Sequence, residues 1–215
     1  MYRLRDVVIV GAGGCAREVA WLLEENNKED RKWNILGYVA DENCLRERDY
    51  PLLGNDEWLL DQRRELDVII AIGNGGIRNC VFKKLQENKN LSFPVIISNK
   101  AIVSEHVKIG QGTIICAGTI VTIDIEIGEF CYFNLNSTVS HDCVIGDFAT
   151  VYSDVNISGN VTVEEYATLG VGTKVKQGLT IGRKAVTGAG AIVVKNVEPD
   201  VTVVGCPAKR LEKRV

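Results

Sequence analysis

Histidine is nearly missing from this 215-residue chain, which contains only His106 and His141. Two histidines are too few for a metal centre built from three histidine ligands, so the sequence predicts no metal site. Cysteine occurs seven times but never with C-x-x-C spacing, which favours free thiols in a reducing cytoplasm. No apolar run reaches the roughly 18–20 residues of a membrane span, and the first residues do not resemble a signal peptide.

A strong excess of one charge is also lacking. The 25 Lys and Arg residues against 28 Asp and Glu residues give a net charge of −3. Without a basic field the composition does not predict nucleic-acid binding, and the small acidic excess does not predict a disordered tail. The length allows one large core or two modest ones, so partners must be identified from local motifs.

Residues 1–98 alternate between short apolar runs and segments with helical spacing. The runs DVVIV, ILGYV, DVIIAI and FPVII predict four strands. The segments CAREVAWLLEEN, NDEWLLDQRR and IRNCVFKKLQEN predict helices between them. This alternation is typical of a small parallel α/β domain with a Rossmann-like arrangement.

Residues 99–215 follow a different pattern, with a period of six. Counted from Ala101, fifteen of the sixteen third positions are aliphatic or Phe, from Val103 to Val193, and Thr187 is the exception. Short strands with a corner every six residues produce this period, and three of them close one coil of a triangular prism. We therefore predict an all-β parallel helix of about five coils, about 25 Å tall, that ends in a short tail.

His141 lies inside this repeat, in the segment SHDCVIGDF, directly before Asp142. Because three sides of six residues bring residue i under residue i+18, Gly159 should lie above His141 and Ile123 below it. A glycine leaves space over the imidazole and exposes a backbone N–H, and acyl transfer needs both a base and an oxyanion donor. Asp142 would orient the ring. The alternatives are a structural histidine, a corner glycine and a solvated acid.

The flat outer faces of such a prism need covering, and three prisms packed side by side would cover them. We therefore expect a homotrimer.

Four segments together resemble the NeuD sialic acid O-acetyltransferases and PglD bacillosamine N-acetyltransferases: the hexapeptide column, SHDCVIGDF, VVGCPAKRL and VVIVGAGGCAREV. The resemblance covers nearly the whole chain and implies a left-handed β-helix with acetyl-CoA in the groove between neighbouring prisms. It implies that His141 is the general base with an acid at Asp142. It also implies that Asn134 lies near the active site and that the Gly159 N–H lies near the thioester.

Two further positions bear on the acyl donor. Thr150 stands where the bacillosamine enzymes carry a second histidine that contacts the donor, and a threonine can donate a hydrogen bond but does not titrate near neutrality. Residues 209–215 carry a net charge of +3, so Lys209 and Arg210 would meet CoA phosphates. A solvated tail is the alternative.

The segment VGAGGCAREV follows a predicted strand and begins a helix. Gly11, Gly13 and Ala16 fit the G-x-G-x-x-G/A pattern, in which backbone N–H groups at a helix N-terminus hold a phosphate. A complete NAD-binding fold has about six strands, and four are predicted here. A tight turn without a ligand is the other alternative.

By the same resemblance, the glycine loop with Gly14 holds the diphosphate of a nucleotide-linked amino sugar. Asp41, which follows the second predicted strand, would meet the ribose or the base. The IGNGG turn, with Gly73 and Asn74, would lie on the same rim.

These observations predict a cytoplasmic acetyltransferase that uses acetyl-CoA and acts on the amine of a nucleotide-linked amino sugar. Transfer to a hydroxyl of a sialic acid or related sugar is the nearest alternative. A non-catalytic structural or nucleotide-binding scaffold is the alternative from another class. A γ-type carbonic anhydrase is excluded by the histidine count.

Overall fold

The computed structural model describes residues 4–40 and 49–212. The chain divides into two compact units, Met1–Pro94 and Val95–Val215. The division falls at residue 94 instead of 98 because Ile96–Ile97, predicted as the last strand of the α/β domain, pairs with Ile114–Ile115 of the second unit. The predicted strand FPVII is therefore divided, with Phe93 and Pro94 in the first unit and Val95–Ile97 in the second.

The first unit contains one sheet of five parallel strands: β1 (Arg5–Val10), β2 (Trp33–Val39), β3 (Leu52–Gly54), β4 (Leu66–Ile70) and β5 (Leu91–Ser92). Their order is β3-β2-β1-β4-β5. Strands β3 and β5 were not predicted because two or three residues are too short to show a period. The chain leaves β1 towards β2 on one side and reaches β4 on the other, so a crevice opens at the carboxyl ends of β1 and β4.

Three helices connect these strands: α1 (Gly14–Glu29), α2 (Asp56–Leu60) and α3 (Gly75–Leu85). Residues 7–10 of β1 and all of β4 are buried, as expected for parallel strands covered on both faces. In the part of the chain that the structure describes, none of the helices is long and apolar enough to cross a membrane.

The second unit is a parallel solenoid with three faces, consistent with a left-handed β-helix. The first face contains strands Ile96–Ile97, Ile114–Ile115, Tyr132–Phe133, Thr150–Val151, Thr168–Leu169, Val186–Thr187, Thr202–Val204 and Lys209–Arg210. The second contains Ile102–Val103, Ile120–Val121, Thr138–Val139, Asn156–Ile157, Lys174–Val175 and Ile192–Val193. The third contains Val107–Ile109, Ile125–Ile127, Val144–Ile145, Thr162–Val163 and Thr180–Ile181.

Most strands of each face pair in register with a spacing of 18 residues, as Val139 does with Ile157, whereas Val186 pairs with Thr202 at a spacing of 16 residues. Six strands stack on the second face, so the expected five coils are too few. The reason is that the stacking begins at Ile96–Ile97, before the first counted repeat, and continues to Thr202–Val204.

The C-terminal segment covers the last coil. Strand Lys209–Arg210 pairs with Thr202–Val204 in the antiparallel direction, although every other pairing on the first face is parallel. The N–H of Ala208 donates to the carbonyl of Ile192 on the second face at 2.8 Å.

Many corners of the solenoid are turned by residues with left-handed backbone angles. Glycine, asparagine and aspartate adopt this conformation most readily. The non-glycine residues in this conformation are Asp124, Phe130, Asn136, Asp142, Phe148, Asp154, Asn160, Tyr166, Lys184 and Asp200. The repeat therefore places Asp142, the predicted partner of His141, at a position that the fold itself reserves for such a residue.

Aromatic residues take this conformation on one corner, where Phe130, Phe148 and Tyr166 follow one another at intervals of 18 residues. Their rings stack with centroids 5.4 Å apart in both pairs. A left-handed residue costs about 1–2 kcal/mol, and an aromatic pair contributes about 0.5–1.5 kcal/mol beyond its burial. The two stacked pairs therefore offset part of the backbone cost of the three residues.

Thr187, the exception among the inward positions, is fully buried. Its hydroxyl lies 2.8 Å from the hydroxyl of Thr173 and accepts the Gly170 N–H at 3.2 Å. A buried hydroxyl is tolerated when it is hydrogen-bonded, so this polar residue fits the apolar column.

Candidate active site

His141 and Asp142 form a hydrogen-bonded pair at a corner after the second-face strand Thr138–Val139. The Nδ1 atom of His141 lies 2.7 Å from Oδ2 of Asp142. The carboxylate accepts the Nδ1–H and thereby fixes the tautomer in which Nε2 carries the lone pair. Because 54% of the His141 side chain is exposed, Nε2 is accessible to a reacting group. This arrangement suits a general base.

Gly159 lies one coil above His141, against the imidazole ring. A Cβ atom at position 159 would lie 2.5 Å from Cε1 and 2.7 Å from Nε2 of His141. Only glycine therefore leaves room for the ring in this position. Gly159 is buried against the ring instead of lying open. Within residues 4–40 and 49–212 its N–H has no hydrogen-bond acceptor, so this N–H is a candidate oxyanion donor beside the imidazole.

Cys143 follows the pair directly but is a poor nucleophile. Its Sγ atom donates to the carbonyl of Ser158 at 3.2 Å. Burial raises the pKa of the Cys143 thiol, which keeps it protonated and unreactive. The six cysteines among the described residues form no disulfide. In the same residues, no group of three or more His, Cys, Asp or Glu side chains is placed to hold a metal ion.

Asn134 lies on a different corner, after the first-face strand Tyr132–Phe133. Its Oδ1 atom accepts the N–H of Leu135 at 2.7 Å. Because the Leu135 N–H must donate to an oxygen, the side-chain amide of Asn134 has a fixed orientation. Its Nδ2 group, with two hydrogens, therefore points away from the Leu135 N–H. No acceptor for Nδ2 is present in the described residues, so both of its N–H hydrogens are available to donate to a ligand.

Asn134 and His141 of one chain lie one prism face apart. A face of six residues spans up to about 20 Å at roughly 3.3 Å per residue in a strand. The structure therefore brings His141, Asp142 and Gly159 together and places Asn134 on the neighbouring corner of the prism.

Two other residues expected near the acyl donor are placed differently. Thr150 is fully buried in its strand, so its hydroxyl offers no exposed surface and the predicted donor contact has no structural support. Lys209 and Arg210 are exposed in the antiparallel strand of the C-terminal segment. Their contact with CoA phosphates stays a prediction.

The glycine loop Gly11–Gly14 lies at the crevice between β1 and β4. Gly11 has a left-handed φ of 112°, and a Cβ atom there would lie 3.0 Å from the Ala71 carbonyl after β4. Gly13 and Gly14 are exposed, and a Cβ atom at either would meet nothing within 4 Å. Gly13 caps α1 without a side-chain hydrogen bond, so the first helical turn is open to an anion.

The second rim of this crevice is the turn after β4. Asn74 caps α3 by accepting the Ile77 N–H at 3.0 Å. Arg78, which sequence reasoning missed, is 1% exposed and donates to the carbonyls of Ile72 and Gly73 at 2.6 and 3.1 Å. A buried guanidinium thus fixes the turn.

Gly11, Gly13, Gly14, Gly73 and Asn74 therefore lie at one edge of the sheet. Asp41 lies outside the described residues.

Comparison with known proteins adds to this geometry. The sequence profile of the PglD N-terminal domain matches residues 6–85. The structure of WeeI from Acinetobacter baumannii is 31% identical in sequence and covers 96% of this chain and 100% of its own, with a TM-score of 0.87. The chain belongs to the PglD/NeuD-like family of hexapeptide-repeat acyltransferases. It is therefore an acyltransferase, and no curated protein sequence is significantly similar to it.

Two further structures of this acyltransferase family contain ligands. A mutant of perosamine N-acetyltransferase from Caulobacter crescentus, in complex with CoA and GDP-perosamine, is 30% identical in sequence and covers 98% of this chain and 99% of its own, with a TM-score of 0.89. The acetyltransferase domain of PglB from Neisseria gonorrhoeae, in complex with acetyl coenzyme A, is 28% identical in sequence. It covers 97% of this chain and 100% of its own, with a TM-score of 0.89.

Substitution of Gly159 by alanine should lower the activity of this acyltransferase without unfolding it. The added methyl group would displace the imidazole of His141, which is half-exposed and free to move outwards. Since general-base catalysis is worth about 10²–10⁴-fold, kcat should fall towards that of His141→Ala. Steady-state kinetics and thermal unfolding measure both effects. A variant that combines Gly159→Ala with His141→Ala should be no slower than His141→Ala alone, because both changes act on the same ring. Full activity of Gly159→Ala would contradict the position of the His141 ring against Gly159.

Substitution of Gly13 by valine should weaken nucleotide-sugar binding and leave acetyl-CoA binding unchanged. Gly13 has φ −85° and ψ −164°, which valine adopts readily, and its side chain would fill space that a phosphate needs. Calorimetric titration of each ligand measures the two affinities.

Gly11→Val is the matched control, because its left-handed φ and its contact with Ala71 predict loss of folding instead. Unchanged nucleotide-sugar affinity in Gly13→Val would mean that the loop is only a turn. Tight, competitive NAD binding would contradict a nucleotide-sugar site.

Proposed function

We propose that this acyltransferase transfers the acetyl group of acetyl-CoA to the amine of a nucleotide-linked amino sugar, with His141 as general base. The observation that carries the proposal is the 2.7 Å contact between His141 and Asp142 beneath Gly159. One corner thus holds an oriented base, a carboxylate that orients it and a backbone N–H without an acceptor. Acyl transfer needs these three groups.

In the proposed reaction, the amine nitrogen attacks the carbonyl carbon of the thioester, and Nε2 of His141 takes the proton that the nitrogen loses. The carbonyl oxygen becomes an oxyanion, which accepts the Gly159 N–H. When the tetrahedral intermediate collapses, the carbon–sulfur bond breaks and the CoA thiolate leaves. The imidazolium returns its proton to that thiolate, so the products are an amide and the CoA thiol.

The nature of the acceptor is inferred from the first unit and from the relatives. The crevice at the carboxyl ends of β1 and β4 is where open α/β sheets bind nucleotides, and Gly13 and Gly14 leave the N-terminus of α1 uncovered there. The Caulobacter relative is named for N-acetyl transfer to perosamine and was solved with GDP-perosamine. We therefore favour an amine on a nucleotide-linked sugar over the hydroxyl of a sialic acid.

The donor site is proposed to lie between two chains of a homotrimer. Asn134, by family resemblance, and His141 serve the same acyl donor, yet they lie on different corners of one prism. Packing of neighbouring prisms would bring the Asn134 corner of one chain to the His141 corner of the next. Three such heterologous contacts close into a ring, in which every chain contributes one Asn134 corner and one His141 corner to the sites.

Activity with a panel of acceptors tests the proposed reaction. The purified protein should release CoA thiol from acetyl-CoA in the presence of a UDP-, GDP- or dTDP-linked amino sugar, and His141→Ala should lower kcat by about 10²–10⁴-fold because the base is lost. Thiol release measured with a chromogenic reagent gives both values. Near-full activity of a folded His141→Ala protein, or turnover with sialic acid alone, would contradict the proposal.

Mixed assemblies test the site between chains. We expect His141→Ala and Asn134→Ala each to be nearly inactive alone, whereas their co-assembled trimers should regain activity in about a quarter of the sites, because neighbouring chains complement each other. Sedimentation should give the mass of three chains. A stable monomer at micromolar concentration would contradict the proposed site between chains. Mixtures no more active than the two single variants would contradict it as well.

A further inference from the structure

Tyr152 lies one coil above Asn134 on the corner between the first and second faces. The strands before them pair in register, Tyr132 with Thr150 and Phe133 with Val151, so the next residues of the two coils are neighbours. Parallel strands lie about 4.8 Å apart. A phenol at position 152 is therefore within reach of any group that the Asn134 amide binds.

The backbone of Tyr152 is held but its hydroxyl is not. Its N–H donates to the carbonyl of Leu169 at 3.0 Å, and its carbonyl accepts the hydroxyl of Ser137 at 3.0 Å. The side chain is only partly buried, and its hydroxyl has no hydrogen-bond partner among residues 4–40 and 49–212. This hydroxyl is therefore available to donate to a ligand bound at the surface.

The corner above Tyr152 is lined by backbone. The same column continues with Gly170 and Gly188, where a Cβ atom would lie 2.5 Å from the Thr187 carbonyl and 2.6 Å from Cγ1 of Val204. Packing thus requires glycine at both positions and leaves a strip without side chains, about two coils or 10 Å long. The adjacent column, which borders the strip, is uncharged: Leu135, Ser153, Val171 and Ala189.

An uncharged strip of this length suits an extended, neutral chain with amide groups better than it suits a charged nucleotide. The pantetheine arm of an acyl-CoA has this chemistry. Thr150, two residues before Tyr152, is fully buried and cannot contact such a ligand at the surface.

We propose that Tyr152 binds the acyl donor, with its hydroxyl donating a hydrogen bond to the pantetheine amide carbonyl nearest the thioester. This inference rests on the proposed use of acetyl-CoA. Tyr152 would act beside Asn134 of the same chain and facing His141 of a neighbouring chain. It supplies the polar contact that the buried Thr150 does not.

Replacement of the hydroxyl alone tests this role. Tyr152→Phe keeps the ring, so it should fold normally and lose one hydrogen bond to the donor. A hydrogen bond is worth about 0.5–1.5 kcal/mol, so the Kd and KM for acetyl-CoA should rise about 2- to 12-fold. The KM for the nucleotide sugar and the unfolding temperature should not change, a split that a merely structural role would not produce.

Tyr166→Phe is the matched control, because Tyr166 is also a partly buried tyrosine of the solenoid but belongs to the aromatic stack on another corner. It should bind acetyl-CoA like the unaltered protein in the same calorimetric titration. Equal acetyl-CoA affinities of Tyr152→Phe and Tyr166→Phe, with the unaltered protein binding normally, would overturn the role of Tyr152 alone. Failure of the unaltered protein to bind acetyl-CoA would overturn the proposed function and this inference with it.

Discussion

The hydrogen-bond register between successive coils is the constraint on which the candidate site depends. Except in the last coil, each strand residue of the solenoid pairs with the residue 18 positions later, as Thr138 does with Asn156, so an outward side chain has a fixed neighbour above and below. His141 receives Gly159 in this way. A loop would have to hold a base and an oxyanion donor together by many separate contacts, whereas here the backbone ladder fixes their spacing at one strand separation.

The same regularity explains which features were predictable. The period of six is visible at fifteen inward positions, and simple counting by 18 gives the neighbours of His141. The short strands Leu52–Gly54 and Leu91–Ser92 have no period to detect, so the sheet of the first unit was incomplete in the prediction. The role of Arg78 depends on carbonyls at the end of β4, which no helical spacing reveals. The orientation of the Asn134 amide depends on one local N–H.

Asp142 meets a backbone requirement of its corner and also places a carboxylate beside His141. The corner needs a residue that tolerates a left-handed backbone, and Asp124 and Asn160 occupy the equivalent corners below and above. Aspartate meets this need through its backbone, and its carboxylate then lies 2.7 Å from His141. The proposed chemistry would use a side chain that the fold already favours, so no extra loop is needed to position the acid.

The antiparallel strand Lys209–Arg210 has a consequence for solubility. A stack of parallel strands ends in a row of unpaired N–H and C=O groups, which can recruit strands of other molecules and grow into a fibre. Here the final partner runs in the opposite direction and presents Lys209 and Arg210 to solvent. The reversed direction interrupts the repeating parallel ladder, and charged side chains on an edge strand disfavour pairing with another molecule. The C-terminal segment therefore limits the column to a finite length.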